Sequence, residues 1–474
     1  MLAIEYSFLN NCVTKSMECK KEKIISAMEL VRVGKFTMIV RWKESTEPSQ
    51  IAKFISEHTV TEIVEWKGRH FGGIVCAPKP RSVSLVRPIG KSLYSVPRYL
   101  TPFRNPREPV RTVPIQCDIT LKEYQKPIYE SLVMQLRNNQ GACLSCRPGF
   151  GKTILTIKLI AELGVSTLIL VHRSGIKKYW IEQIKQHTGL DSNKSDSLIH
   201  VETVQSVVSK MPKVPKVFKE ESDVASSSRT LRTPDFLIVD EVHNIAAKQF
   251  FLSITKCIRM PIWTLGLSAT IERPDGMHPL FLAYMGPVLQ PATTNKKTKL
   301  AYRRLYIHSA VHYTSDLYAK KISELEAYKP RADVILDTLL NVMQDKQVIV
   351  LASRCAFLDY LAEQLDKKGV KYTCNYGHRV NYLERANGII LATYSMAGES
   401  FNVIDLDCLI MASSIKTSKQ IIQATGRINR GDSNDTKMII DVIDDLNAHH
   451  AYKRRNIICE QFHVVSSRSK TVSV

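Results

Sequence analysis

The sequence predicts an α/β protein of two tandem lobes, each a parallel sheet with crossover helices, preceded by a small N-terminal α+β domain. Three observations carry this. The chain has 474 residues, too many for one ordinary core, because domains run about 100–200 residues. Short apolar runs alternate with helix-patterned segments, as parallel strands joined by crossover helices require. That alternation occurs twice, giving lobes over 111–290 and 304–474, joined by a linker at 291–303.

Residues 1–110 differ. Apolar runs at Phe36–Trp42 and Thr61–Trp66 read as strands, and Glu22–Val33 reads as a helix. In the first lobe the strands are expected at Ala142–Ser145, Thr167–Val171, Phe236–Val239 and Trp263–Ser268. Helices are expected at Thr153–Leu163 and Ile176–His187. The second lobe repeats the style with strands at Val348–Ala352, Gly388–Ala392, Cys408–Met411 and Met438–Asp441, and helices at Arg354–Lys367 and Ser418–Ile428. The segment Ser209–Ser228 is rich in Lys, Pro and Ser and lacks periodicity, so it reads as a surface loop. Thr293–Lys299 is basic and suits a linker.

Composition limits the function classes. Apolar residues make up 44% and charged residues 23%, which excludes wholesale disorder. No run approaches the roughly 18 apolar residues of a membrane span. The start, MLAIEYSFLNNCVTK, has no basic region before an apolar core, so an intracellular, unsecreted protein is expected. Eleven Cys, an odd number without framework spacing, suit reduced thiols. The net charge of +21 favours a polyanion, with nucleic acid the commonest. Residues 1–115 carry 19 basic and 10 acidic residues. Trp66–Arg107 has no acid and nine basic residues: Lys67, Arg69, Lys79, Arg81, Arg87, Lys91, Arg98, Arg104 and Arg107. It reads either as a duplex-binding surface or as a basic face packed on the first lobe. Trp66, His70 and Tyr99 there could stack on bases, or belong to the core.

Cys146-Arg-Pro-Gly-Phe-Gly-Lys-Thr153 follows one strand and opens a helix. Glycine lets the backbone N–H groups of Gly149, Phe150 and Gly151 approach phosphate oxygens, and the helix N-terminus adds partial positive charge. Lys152 would then reach the β and γ phosphates and Thr153 would ligate Mg²⁺. Phe236-Leu-Ile-Val-Asp-Glu-Val-His243 delivers two carboxylates at a strand end. Asp240 suits the Mg²⁺ shell, and Glu241 suits orienting or deprotonating water. His243 suits coupling to the next motif, Ser268-Ala-Thr270. In the second lobe, Gln423, Arg427 and Arg430 sit at helical spacing on one face. Two arginines without an acid suit a transferring phosphoryl group. Cys143 and Cys146 read as buried thiols, since a zinc site needs about four ligands. His449-His450 reads as a surface pair.

In this order and spacing, Leu121-Lys-Glu-Tyr-Gln125, GFGKT, DEVH, SAT and QATGRINR resemble a superfamily 2 helicase across about residues 92–445. GFGKT, the Gln-x-x-Gly-Arg-x-x-Arg ending and Val-Pro-Arg-Tyr resemble the phage, large-DNA-virus and XPB-like subgroup, which includes the poxvirus transcript-release helicase. The resemblance implies two RecA-like lobes, ATP and Mg²⁺ as cofactors, and ATP-driven movement on DNA with 3′→5′ polarity. It assigns Gln125 to adenine, and Asn402 and Gln423 to the nucleotide. It places His172 and Arg173, then Thr203, Gln205 and Ser206, then Arg354 and Thr393, on the nucleic-acid side. Asn402 and Ser400 depart from the usual Gly-x-Asp, which suits altered nucleotide coupling. Implied partners are DNA, single-stranded or forked, with RNA and transcription or replication proteins as further candidates, and a monomer is favoured. The alternatives are an RNA helicase and a catalytically weakened nucleic-acid-binding subunit.

Overall fold

A computed structural model describes residues 28–33, 38–61, 82–90, 93–209, 233–245, 258, 260–273, 275–291, 298–344, 346–377, 379–380, 388–395, 406–415, 417–428 and 435–474. The chain divides into two compact units. One is Met1–Cys146 with Gly151–Ala292, and the other is Arg147–Phe150 with Thr293–Val474. The Ser209–Ser228 loop beyond Ser209, and most of the Thr293–Lys299 segment, lie outside the described residues.

The first unit begins with β1 (Met28–Val33), β2 (Met38–Trp42), α1 (Pro48–Glu57), β3 (Thr59–Thr61), β4 (Ser82–Ser84), β5 (Arg87–Gly90) and β6 (Leu93–Val96). An antiparallel sheet runs in the order β1-β2-β6-β5. The helix expected at Glu22–Val33 is thus a strand over Met28–Val33. Met28 is buried and Glu29 exposed, a period of two that pairs directly with β2. Met28, Met38, Val40, Trp42, Phe54 and Val96 pack into one core with Met260 of the following lobe.

A polar latch follows. Arg98 is buried and donates to the carbonyls of Pro261 and Ile262 at 3.2 and 2.9 Å and to the Gln140 side chain. The Tyr99 hydroxyl bonds the Gln140 carbonyl and Thr264 Oγ1 at 2.9 and 2.7 Å. Asn105 donates to the carbonyls of Met260 and Pro261. Arg107 pairs with buried Asp235 at 3.2 Å; burial pushes that carboxyl up and Arg107 opposes it. Arg104 donates to the Arg137 carbonyl. Arg98 and Arg107 therefore tie the N-terminal domain to the base of the lobe sheet, exposed Arg104 reaches the helix over Lys126–Asn139, and Tyr99 is a packing residue.

The lobe itself comprises α2 (Lys126–Asn139), β7 (Gly141–Ser145), α3 (Lys152–Leu163), β8 (Thr167–Val171), α4 (Ser174–Thr188), β9 (Ile199–Thr203), α5 (Val204–Ser209), β10 (Phe236–Asp240), α6 (Val242–Ile245), β11 (Trp263–Ser268), α7 (His278–Met285) and β12 (Val288–Leu289). All pairings are parallel, in the order β12-β7-β11-β10-β8-β9. Strands β7 and β8 are buried throughout, as expected when helices cover both faces.

The second unit carries β13 (Lys299–His308), α8 (Tyr318–Ala327), α9 (Lys329–Val342), β14 (Val348–Ala352), α10 (Cys355–Lys367), β15 (Tyr372–Tyr376), β16 (Arg379–Val380), β17 (Ile389–Thr393), β18 (Cys408–Met411), α11 (Ser418–Thr425), β19 (Lys437–Asp444), α12 (Ala448–Gln461) and β20 (His463–Ser473). Its sheet runs β16-β15-β17-β14-β18-β19-β13-β20, parallel except for β15 with β16. Two ion pairs are buried on β19. Arg331 reaches Asp444 at 2.6 Å and the Ala412 carbonyl, and Arg454 reaches Asp441 at 2.9 Å. Tyr302 also donates to Asp441. His450 is buried beside Tyr318, which corrects the surface-pair reading for that residue.

Candidate functional site

In a parallel sheet every strand ends on the same edge. Here that edge collects the predicted motifs in spatial order: the phosphate loop after β7, Ser268 at the end of β11, Asp240 at the end of β10, His172 after β8 and Thr203 at the end of β9. Such a carboxyl edge is where open α/β sheets bind ligands.

The phosphate loop bends through two left-handed glycines, Gly149 at φ 77° and Gly151 at φ 96°. Helix α3 starts at Lys152, so its first N–H groups face the loop. Lys152 Nζ lies 2.9 Å from the Cys146 carbonyl, across the loop it would have to serve. Phe150 is buried. Thr153, in the first turn of α3, is partly exposed. Gln125 is buried, and its Oε1 accepts from the Lys122 N–H at 3.0 Å. Its Nε2 would lie 2.4 Å from a Cβ placed on Gly151. Gln125 is thereby brought against the phosphate loop. Cys143 and Cys146 are both buried, and burial pushes the Cys143 thiol up.

The acidic motif is ordered by its own neighbours. Glu241 has φ 50°, an unusual left-handed conformation for a residue with a side chain. Asp240 Oδ1 accepts the Glu241 N–H at 3.0 Å. Asp240 Oδ2 accepts the indole N–H of Trp180 at 2.8 Å. His243 Nδ1 lies 2.7 Å from Ser268 Oγ and 3.3 Å from a Glu241 carboxylate oxygen. The Ser268 hydroxyl gives its hydrogen to the Thr270 carbonyl at 2.6 Å, while accepting the Thr270 N–H at 3.1 Å. Toward His243 it can only accept, which places a hydrogen on His243 Nδ1. Glu241, His243, Ser268 and Thr270 thus form one connected chain. Arg273 extends it by bonding the His243 carbonyl and Asp275; that bond holds the Asp275 carboxyl below its usual range. The donor set suits a Mg²⁺–nucleotide: a hydroxyl and a carboxylate for a hard cation, with a glycine cradle for phosphates.

On the remaining strand ends, Arg173 is exposed and precedes α4. Gln205 Nε2, on α5, donates to the His172 carbonyl at 3.3 Å, joining α5 to the β8–α4 loop. Thr203 accepts the Ser206 N–H at 3.1 Å and so shapes the start of α5.

In the second unit, α11 ends at Thr425, not Ile428. Gln423 lies in the helix, whereas Arg427 is buried in the following turn. Gln423 and Arg427 therefore do not share one helix, which gives way to a turn at Gly426. Thr393 is buried and bonds Ser395 at 3.2 Å. Arg354 folds onto α8, donating to Ser323 and the Ala319 carbonyl. Ser400, Asn402 and Arg430 lie outside the described residues.

Arg273 has no role in the sequence reading, and Trp180 enters it only as the last residue of the Leu170–Trp180 segment that resembles a nucleic-acid-contacting motif, with no role of its own. Trp180 shares the apolar spacing of Ile176 and Ile184, which signals core; its partner, 60 residues away, leaves no local trace. Among the described residues no helix is long and apolar enough to cross a membrane, and no group of three His, Cys, Asp or Glu residues could hold a metal ion.

Comparison with known proteins agrees with this geometry. Residues 118–273 match the family described as type III restriction enzyme, res subunit, and residues 331–432 match the helicase conserved C-terminal domain. Probable helicase D10 of Escherichia phage T5 is 25% identical over 65% of this chain and 67% of its own length. A protein of Acanthamoeba polyphaga mimivirus, L396, named as a candidate ATP-dependent RNA helicase, is 25% identical over 69% of this chain and 64% of its own. The fold is similar to S. cerevisiae Dbp5 bound to RNA and ADP BeF3, at 11% identity and TM-score 0.50, covering 73% of this chain and 89% of that one. Both sheets are those of RecA-like helicase domains. The chain belongs to the superfamily 2 helicases and is similar to the phage, large-DNA-virus and XPB-like members. It is an ATP-hydrolysing, nucleic-acid-binding enzyme.

Proposed function

We propose that the chain binds Mg²⁺–ATP at the carboxyl edge of the first sheet and couples its hydrolysis to movement along DNA. The supporting observation is the order of strand ends, which runs without a break from phosphate loop to acidic pair to the His172 and Thr203 loops. In this reading Lys152 holds the β and γ phosphates, Thr153 and Asp240 hold Mg²⁺, and Gln125 recognises adenine. Mg²⁺ held by these residues would supply neutralisation of the phosphate charge. Glu241 orients the attacking water and accepts its proton, with His243 and Ser268 fixing its position. Arg427 and Arg430 neutralise transition-state charge, and Asn402 and Gln423 contact the nucleotide. His172, Arg173, Gln205 and Ser206 meet the strand, with Thr203, Arg354 and Thr393 shaping or joining that surface. The proposed division is an accessory domain over 1–110, lobes over 111–290 and 304–474, and a linker at 291–303.

RNA as the track is the second reading, favoured by the name given to the mimivirus relative. One experiment separates them: ATPase rate with single-stranded, duplex, forked and hybrid polymers, for wild type and Lys152→Ala. DNA stimulation that vanishes in the variant supports the proposal. Stimulation by RNA alone supports the second reading. Equal rates for wild type and Lys152→Ala would sink both.

A further inference from the structure

Trp180 is the largest fully buried side chain among the described residues. An indole N–H is a donor only, and burial requires that it find an acceptor. The acceptor here is Asp240 Oδ2, at 2.8 Å. The other oxygen of Asp240 is held by the Glu241 N–H, so both oxygens have fixed directions. Trp180 stands on α4, whose first residue follows Arg173 directly. One turn before it, Lys177 pairs with Glu202 on β9 at 3.1 Å. The His172 carbonyl at the head of α4 is held by Gln205. Helix α4 therefore begins at the β8–α4 loop, which Gln205 of α5 holds, and within its first two turns donates a hydrogen bond to the carboxylate at the end of β10.

We propose that Trp180 is a positioning residue that transmits nucleic-acid binding at the β8–α4 loop to Asp240. A shift or rotation of α4 moves the indole N–H and with it the direction in which Asp240 presents its oxygens. This rests on the helicase reading above, and deepens it by naming the connection between the two halves of the edge. Hydrogen bonds to charged groups are worth enough that losing one changes an equilibrium by roughly tenfold.

The test uses the full chain and Trp180→Phe, which keeps an aromatic ring and removes the donor. A second variant carries a benzothiophene analogue of tryptophan at this position, replacing only the N–H by sulfur. Binding of a fluorescent ATP analogue is titrated with Mg²⁺, and ATPase is measured with and without single-stranded DNA. The expected result is a Mg²⁺ midpoint raised roughly tenfold and a smaller ratio of stimulated to basal rate, in both variants. Wild-type indole fluorescence should also respond to Mg²⁺–nucleotide in a component that both variants lack. An unchanged Mg²⁺ midpoint and stimulation ratio in the sulfur analogue overturns the proposal, whether or not Trp180→Phe folds. Failure of the helicase reading looks different, since wild type itself would then show no stimulation and no loss in Lys152→Ala.

Discussion

Gly151 carries two constraints at once. Its φ of 96° is a conformation that side chains resist at a cost of order 1–2 kcal/mol. A Cβ there would also lie 2.4 Å from Gln125 Nε2. Moving Gln125 aside would break the bond that its Oε1 accepts from the Lys122 N–H. Gly151→Ala should therefore damage phosphate and base recognition together. The expected outcome is a KM for ATP raised about 5- to 30-fold, from a strain of order 1–2 kcal/mol, with reduced preference for ATP over GTP. Nucleotide titration checks both. At this scale the sequence was informative wherever backbone chemistry fixes a role, as in Gly149, Gly151, Lys152 and the Asp240–Glu241 pair. It assigned no role to Trp180 or Arg273, because a hydrogen bond between distant segments has no sequence period. The hydrogen on His243 Nδ1 likewise follows from what Ser268 does with its own hydroxyl, a fact of geometry alone.

At the scale of elements, buried strands were the most legible part. Thr167–Val171, Trp263–Ser268, Val348–Ala352 and Cys408–Met411 are strands with the expected limits, since continuous apolar runs between turn signals leave little choice. Errors fell where local pattern competes with tertiary pairing. Met28 is buried while Glu29 and Val31 are exposed, and pairing with β2 decides for strand. Helix α11 stops early at Thr425, ahead of Gly426. The Arg98–Arg107 latch was half legible: the stretch read either as a duplex-binding surface or as a basic face packed on the first lobe, and no local pattern shows that Arg98 bonds the Pro261 and Ile262 carbonyls and Arg107 the Pro234 carbonyl and Asp235. Arg98→Ala would remove a charged donor from the Gln140 side chain and from the Pro261 and Ile262 carbonyls, with Asn105 still bonding Gln140 and Pro261. Several buried bonds to a charged group vanish together, so a destabilisation of roughly 3–5 kcal/mol is expected. Denaturant unfolding followed by tryptophan fluorescence measures it; a change below about 1 kcal/mol, the scale of a single ordinary hydrogen bond, would contradict the latch.

Over the whole molecule the +21 charge can now be divided. Arg98 and Arg107 are committed to internal contacts, so they add little to a polyanion surface, whereas Arg104 bonds the Arg137 carbonyl but stays exposed. Arg87 is exposed, and Lys67, Arg69, Lys79, Arg81 and Lys91 remain as the basic residues of that acid-free stretch. The two assignments make opposite predictions for salt. Each phosphate neutralised by a protein cation releases condensed counterions. The logarithm of affinity therefore falls with the logarithm of salt, with a slope of about −0.9 per neutralised phosphate on duplex DNA. Replacing Lys67, Arg69, Lys79 and Arg81 by Gln should make that slope shallower by roughly one for each phosphate no longer neutralised. Arg98→Lys should leave the slope where it is, because that side chain meets carbonyls and not phosphate. Binding of labelled duplex DNA across a salt series gives both slopes in one experiment. A fourfold variant with the wild-type slope would confine the phosphate-binding cations to residues outside this stretch.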